Sequence, residues 1–456
     1  MYARKEHSQH QPWIGVEACW QLYSDEPWNH LVSVTPEQLA THALVVGATG
    51  SGKTNLLHHL IAQDLERGHS ICQLDLRGDQ ARATLELCAG RVNPDRVVLL
   101  DLREKERPFG FNPLYGAGEP YFRALNVLDV IKAASGSWGV QLEDTLRNAL
   151  LVLAECGEPL TELEPLLHDS GFRRACLSEI SDESLNTFWE RYDALSPERQ
   201  DAYAAPVLNK VSPLLATATL RRILGHPEPI DLGKHLDMRG SVLLVSLAVD
   251  ELHGSGRMLG SLLLSAICRE IFARVHLPES RRNPVRLFVD EFENFSMEDF
   301  ESILAEGRRF KLSTVLAHQT LAQLTPKMRS MILGNVGTKF IFRLGREDGA
   351  VLGRDIFGDA SFYNFSELPV GYCVMWQRTT GEIEVEVNEP IVRDVGQLSP
   401  GARAYAREVY AHAPVYAKRP RRCLPVDCSP SESEEVEQPN NPTLHRLPPP
   451  SLEDWL

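Results

Sequence analysis

Residues 47–54 have the composition needed to hold the phosphates of a nucleotide. Their sequence, GATGSGKT, fits a phosphate loop: Gly, any four residues, Gly, Lys, and Ser or Thr. Glycines let backbone N–H groups turn toward phosphate oxygens, and the helix that follows adds the positive end of its dipole. We predict that Lys53 contacts the β- and γ-phosphates and that the Thr54 hydroxyl ligates Mg²⁺. The predicted nucleotide-binding residues are Gly47, Ala48, Thr49, Gly50, Ser51, Gly52, Lys53, Thr54 and Asn55.

The flanking sequence separates this interpretation from an ordinary glycine-rich turn. The apolar run ALVV precedes the loop, and the helical pattern TNLLHHLIAQDLE follows it. A strand before the loop and a helix after it are the context that a phosphate loop requires. The sequence therefore predicts a binding site for a nucleoside triphosphate.

Two adjacent acids end a second apolar run, RLFVDE, at Asp290 and Glu291. A solvated turn after a strand is the alternative for such a pair. Together with a phosphate loop, the pair predicts that Asp290 holds Mg²⁺ and that Glu291 polarises the attacking water. A Glu directly after the Asp favours a hydrolysing ATPase over a kinase.

A third run, STVLAHQ, ends in His318 and Gln319. We predict that Gln319 senses the γ-phosphate or orients water, whereas His318 is structural. Before this run, Arg308 follows a helical pattern. It is a candidate arginine finger for a neighbouring subunit, with a surface helix end as an equally weighted alternative from spacing alone.

These residues need a parallel sheet to position them. From about residue 41, short apolar runs alternate with amphipathic segments, which predicts an α/β fold of parallel strands wrapped by helices. The predicted strands are Ala43–Val46, Ser70–Leu74, Val97–Leu100, Ser241–Leu247, Val285–Val289, Thr314–Ala317 and Thr338–Phe342. Residues 119–236 show mainly helical periodicity and are predicted to be an all-helical subdomain inserted into this fold.

The remaining boundaries follow from composition. We predict a small N-terminal segment at 1–40, the nucleotide-binding domain at 41–118 and 237–419, and a disordered tail at 420–456 that is rich in Pro, Ser and Glu. The tail ends in SLEDWL, which is either a frayed end or a docking peptide for a partner.

Composition limits the class of protein. The 456 residues include no apolar run of the roughly 18 residues that a membrane helix needs, and the first ten residues are not those of a signal peptide. Nine scattered cysteines without a CxxC pair predict reduced thiols rather than disulfides or a zinc site. The net charge of −15 disfavours nucleic acid on average, but local arginine clusters can still line a pore. We expect a cytoplasmic protein with no intrinsic membrane segment, or one that partners recruit to the inner membrane.

Five segments in order resemble the FtsK/HerA superfamily of ring ATPases. They are GATGSGKTNLL, QLDLRGD (73–79), LFVDEFENF (287–295), AEGRRFKLSTVLAHQTLAQL (305–324) and ILGNVGTKFIFRLGREDGAVL (332–352). Within the superfamily, the sequence is most similar to the conjugative coupling proteins of type IV secretion, of the TraD/TraG-like kind. The resemblance covers roughly residues 41–115 and 237–390.

The resemblance implies a RecA-like core with a helical insertion that assembles as a homo-hexamer and moves DNA, single- or double-stranded, with ATP and Mg²⁺. By motif, it assigns Lys53 and Thr54 to the phosphate loop, Asp290 and Glu291 to the metal and the catalytic acid, and Gln319 to the sensor position. It also favours Arg308 as the arginine acting in trans, with Arg343 as a weaker alternative. Secretion-channel or relaxosome proteins are the implied partners.

One departure from the family's pattern leaves the biological process open. Coupling proteins normally begin with transmembrane helices, which the sequence lacks. The alternatives are a coupling protein recruited by partners, a HerA-like helicase or translocase in DNA repair or antiphage defence, a type IV secretion ATPase acting on protein, and a slow NTP-dependent switch.

Overall fold

The structure is a computed structural model, and it describes residues 15–17, 31–32, 34–295, 297–359, 363–387, 389–392 and 397–412. The predicted tail at 420–456, including SLEDWL, lies outside the described residues. Among the residues that are described, no helix is both long enough and apolar enough to span a bilayer.

The described residues form one 11-stranded sheet. In chain order, strands β1 to β11 are Gly15–Glu17, Leu31–Val32, Ala43–Val46, Ser70–Asp75, Val97–Asp101, Val242–Ser246, Val285–Asp290, Leu312–His318, Thr338–Ile341, Tyr372–Gln377 and Gly381–Val387. Strands β3 to β9 are the seven that the sequence predicts, with ends that differ by a few residues.

The strand order is β2-β1-β11-β10-β9-β3-β8-β7-β4-β6-β5. The seven strands from β9 to β5 are parallel, whereas β10, β11, β1 and β2 continue the sheet in antiparallel pairs. The carboxyl ends of the parallel strands therefore share one edge, the carboxyl edge, where ligands bind in open α/β sheets. The predicted α/β class with a parallel sheet is confirmed, and the antiparallel extension is an addition to it.

Helices cover both faces of the sheet. In chain order, α1 to α16 are Pro36–Leu39, Lys53–Glu66, Asp79–Cys88, Pro120–Ala133, Val140–Cys156, Leu163–His168, Ser170–Leu177, Glu183–Asp193, Pro197–Val211, Ala218–Leu224, Leu232–Asp237, Val249–Phe272, Met297–Glu306, Pro326–Asn335, Arg346–Phe357 and Pro400–His412. Helices α4 to α11 lie between β5 and β6 in the chain and form the helical block.

The structure has two apolar cores, and strand β3 contributes alternate side chains to each. Its residues are all buried, and successive side chains point to opposite faces. Leu44 and Val46 pack in the core shared with the helical block, whereas Ala43 and Val45 pack with the apolar side chains of α2. A strand buried on both faces needs an unbroken apolar run, which is what the sequence has there.

The helical block is organised around a buried arginine. The Arg173 guanidinium pairs with the Asp193 carboxylate, donates 2.7 Å to the carbonyl of Leu166, and lies 5.7 Å and 5.1 Å from the rings of Trp189 and Tyr192. A buried charge is stable only when its donors are satisfied, and here carboxylate, carbonyl and aromatic faces satisfy it.

The end of the described chain forms a strap across one face of the molecule, residues 389–392 and 397–412. The carbonyl of Glu389 lies 3.1 Å from His59 Nε2 on α2. Farther on, the Ser399 N–H donates to the Glu86 carboxylate (3.0 Å), and the Tyr405 hydroxyl donates to the Val92 carbonyl (2.8 Å), just before β5. The strap thus contacts α2, α3 and the segment that leads into β5.

Candidate nucleotide site

The phosphate loop curls between β3 and α2 at the carboxyl edge. Gly52 has φ 114°, a conformation that glycine adopts without strain, and it begins α2. Gly47 packs so closely that a Cβ there would lie 2.5 Å from Cβ of Phe342. Both positions therefore require glycine for structural reasons that are independent of any ligand.

Lys53 bends back over this loop. Its Nζ donates to the carbonyls of Gly47 (2.5 Å) and Ala48 (3.1 Å). Burial lowers the pKa of Lys53, while the negative charges of Asp290 and Glu291 oppose that shift. A cation held above the loop and facing two acids is suitably placed to compensate phosphate charge.

The two predicted acids lie where β7 ends. Burial, together with the negative charges of Glu291 and Asp75, raises the pKa of Asp290 to about 6. Glu291 has φ 51° and ψ 47°, which is uncommon for a residue other than glycine. Its N–H donates to the Ala317 carbonyl (3.1 Å) and to Asp290 Oδ1 (3.0 Å), and these bonds hold the sharp turn of the backbone after β7.

Gln319 connects the acids to the phosphate loop. Its Oε1 accepts 3.0 Å from the Thr49 hydroxyl, and its Nε2 donates 3.0 Å to Glu291 Oε1. The structure therefore brings these predicted site residues together in one continuous contact. The neighbouring His318 is buried, with Nδ1 2.9 Å from Glu293 Oε2 and its ring 5.2 Å from that of Phe292, which agrees with a structural role.

Two further residues reach this site from the chain just after β4: Arg77 in the loop and Gln80 in the first turn of α3. Gln80 Nε2 donates 3.4 Å to the Thr54 hydroxyl and its Oε1 lies 2.9 Å from His58 Nε2. Arg77 Nη2 lies 3.9 Å from Glu291 Oε1. Sequence reasoning assigned neither residue a role, although the segment QLDLRGD that precedes Gln80 and contains Arg77 carried part of the resemblance.

Arg308 lies at the opposite edge of the sheet. It precedes β8, whose far end carries Gln319, so a strand of about 20 Å separates it from the site of its own chain. It is exposed. Burial, with the positive charges of Arg286 and Arg308, lowers the pKa of His42, just before β3, to about 4. Any contact of Arg308 with a nucleotide must therefore be made to another copy of the chain.

Arg343 follows β9 and lies at the carboxyl edge instead. Its carbonyl accepts 2.8 Å from the N–H of Ala48 in the phosphate loop, and its half-buried side chain has no hydrogen bond or ion pair among the described residues. The two candidate arginines thus differ in place: Arg343 adjoins the site of its own chain, and Arg308 does not.

The donor set fits a nucleoside triphosphate with Mg²⁺. Phosphate oxygens are matched by a glycine-lined turn, the start of α2 and a lysine. The hydroxyl and carboxylate oxygens that Mg²⁺ prefers are present in Thr54 and Asp290. The Ser51 hydroxyl adds a buried oxygen with no partner among the described residues.

Comparison with known proteins agrees with this geometry. A family model described as "Type IV secretion-system coupling protein DNA-binding domain" matches residues 30–85, and one described as "TraM recognition site of TraD and TraG" matches residues 284–361. Together they span the phosphate loop, Arg77, the two acids, Gln319 and both candidate arginines. No curated protein matches the chain.

Several solved structures share the fold. The plasmid coupling protein TrwB, bound to ADP and Mg²⁺, is 15% identical with a TM-score of 0.57, over 81% of this chain and 90% of that one. Its complex with an ATP analogue gives 16% and 0.58, over 80% and 89%. VirB4 of Thermoanaerobacter pseudethanolicus is 14% identical with a TM-score of 0.56, over 84% and 97%. These matches, with the two family models, confirm the predicted similarity to conjugative coupling ATPases and to their RecA-like fold.

Proposed function

We propose that the protein hydrolyses ATP as the subunit of a ring motor that moves DNA, in the manner of a conjugative coupling protein. The observation that carries the ATPase part is the continuous contact from Thr49 through Gln319 to Glu291, beside Lys53 and Asp290. The similarity to TrwB, which has been solved with ADP and Mg²⁺ and with an ATP analogue, supports ATP and Mg²⁺ as the cofactors. The two coupling-protein family models support DNA as the substrate.

In this proposal, the backbone of the phosphate loop and Lys53 hold the phosphates, while Thr54 and Asp290 hold Mg²⁺, which neutralises developing charge. Glu291 accepts a proton from the attacking water. Gln319 keeps the Glu291 carboxylate aligned with the phosphate loop, and its amide is placed to sense the γ-phosphate that the loop binds.

The proposal is tested by ATP hydrolysis across titrations of single- and double-stranded DNA at low and moderate salt. We expect stimulation by DNA that weakens as salt rises, because phosphate contacts release counterions. The strand type that stimulates more is the preferred substrate. Matched protein carrying Lys53→Ala should show no stimulated turnover, which would exclude a contaminating ATPase.

A second candidate function is a type IV secretion ATPase that acts on protein. The comparable similarity to VirB4, which covers 97% of that chain, favours it. Hydrolysis that does not respond to DNA at any salt concentration would contradict the DNA motor and leave this candidate.

A homo-hexameric ring also belongs to the proposal, and the position of Arg308 supports it. Rings form through heterologous interfaces, in which two different surfaces of the subunit meet. A head-to-tail contact is the arrangement that can bring Arg308, at one edge of the sheet, to the nucleotide site at the carboxyl edge of the next subunit. Relaxosome or channel proteins and recruitment to the inner membrane are further parts of the proposal.

Mixing two inactive variants tests the trans role of Arg308. Arg308→Ala and Lys53→Ala should each be inactive, whereas a 1:1 mixture should recover activity at about one interface in four, where an intact site faces an intact arginine. Turnover of the mixture is compared with that of each variant alone. A mixture as inactive as its components would contradict the role, and the same experiment with Arg343→Ala should give no recovery if Arg343 serves its own site.

A further inference from the structure

The loop that carries Arg77 is fixed at its start by a buried acid. Asp75 ends β4, and its two carboxylate oxygens accept the N–H groups of Arg77 (2.9 Å) and Ala81 (2.9 Å). Burial raises the pKa of Asp75, and these backbone donors oppose the shift. Both carboxylate oxygens of Asp75 therefore hold the loop through hydrogen bonds from its backbone.

The other side of the loop rests on a second buried group. Arg103 Nη1 donates 2.5 Å to the Arg77 carbonyl. Between the two, Gly78 has φ 96°, and a Cβ there would lie 2.5 Å from Ser246 Oγ and 2.9 Å from Arg103 Nη1. The backbone of Arg77 is thus held by its N–H and by its carbonyl, in a turn that only glycine allows.

Arg103 in turn is anchored to the first turn of α12. Its Nε donates 2.9 Å to Glu251 Oε1, and Nη2 pairs with the Asp250 carboxylate. A guanidinium is a rigid planar fork, so these contacts fix its orientation. The backbone position of Arg77 is consequently determined by groups from β4, from the loop after β5 and from α12.

The side chain of Arg77 contrasts with its fixed backbone. It is 69% exposed and reaches toward the Glu291 carboxylate, with Nη2 3.9 Å from Oε1. The same Oε1 accepts the hydrogen bond from Gln319. Glu291 Oε2 makes no hydrogen bond among the described residues, so one oxygen is held and the other is open to accept a proton.

We propose that Arg77 is a positioning residue for hydrolysis, whose guanidinium holds Glu291 Oε1 so that Oε2 faces the attacking water. This inference rests on the proposed ATPase function. It differs from a phosphate-binding role, in which Arg77 would contact the nucleotide itself and contribute to affinity.

The test is steady-state ATP hydrolysis by Arg77→Gln, Arg77→Lys and the double variant Arg77→Gln/Glu291→Gln of the full chain. We expect Arg77→Gln to lower kcat about tenfold or more with KM within about twofold of wild type, because ground-state binding is untouched. Arg77→Lys should retain most of kcat, since it keeps the positive charge. The double variant should be no slower than Glu291→Gln alone, because Arg77 acts through Glu291.

The proposal would be overturned by a raised KM with unchanged kcat, by an Arg77→Lys variant as slow as Arg77→Gln, or by additive losses in the double variant. Arg82→Gln, on α3 beside the same loop, is the matched control and should hydrolyse ATP like wild type. Turnover of the single variants distinguishes failure of the proposed ATPase function from failure of the role of Arg77. If Glu291→Gln keeps wild-type turnover, the assigned ATPase chemistry fails, whereas an inactive Glu291→Gln with a fully active Arg77→Gln overturns the role of Arg77 alone.

Discussion

A Glu291→Gln protein should bind ATP with unchanged affinity and hydrolyse it about 10² to 10⁴ times more slowly, the range for loss of a general base. The amide keeps the size of the side chain but cannot take a proton from water. Its oxygen can still accept the hydrogen bond from Gln319, so the contact with Thr49 should survive. Binding is measured with a fluorescent ATP analogue, and turnover by phosphate release.

The same variant should favour the nucleotide-bound oligomer, because ATP that is not hydrolysed keeps the subunits associated. Size-exclusion chromatography with ATP would show it. Glu301→Gln, on α13 and paired with Lys327, is the matched control and should behave as wild type. Wild-type turnover by Glu291→Gln would mean that another group takes the proton.

Lys53→Ala should lower the rate of hydrolysis by about 10² to 10³-fold or more, as the loss of one charge-stabilising donor does. The change also removes the two hydrogen bonds from Nζ to the carbonyls of Gly47 and Ala48, but Ala48 is exposed and the backbone bonds of β3 and α2 remain. The fold should therefore persist, which a thermal unfolding curve would check. ATP binding should weaken as well, because in the proposed site the lysine contacts the phosphates in the ground state.

Lys234→Ala is the control for this variant, since Lys234 is exposed on α11. Its turnover should equal that of wild type. Normal hydrolysis by Lys53→Ala would show that the phosphate loop was assigned to the wrong segment.

Much of the site could be predicted because its signals are local. The phosphate loop is a contiguous motif, and its strand and helix follow from adjacent apolar patterns. Asp290, Glu291 and Gln319 each lie directly after an apolar run. In a parallel sheet such positions share one edge, so a sequence that predicts the strands also predicts that these side chains lie along that edge.

Arg77 and Gln80 could not be assigned because their neighbours are distant in the chain. Strand β4 lies beside β7 in the sheet, although about 200 residues separate them. The sequence indicates neither this adjacency nor that Asp75 and Arg103 hold the backbone between them. Only the strand order shows that the loop after β4 faces Glu291.

The short antiparallel strands β1 and β2 could not be predicted for a different reason. Strands β1 and β2 have three and two residues, too few to show a period. Strand β1 forms by pairing with β11, which is far away in the sequence, and β2 pairs with β1. The predicted domain boundaries, including a separate N-terminal segment at 1–40, stay predictions.

The strap formed by residues 389–392 and 397–412 bears on how the proposed motor would transmit force. A sheet transmits force only if it does not bend, and the strap stiffens it by joining α2 and α3 to the segment that leads into β5. In the proposed motor, a movement caused by hydrolysis at the carboxyl edge would then be transmitted through the sheet with little bending.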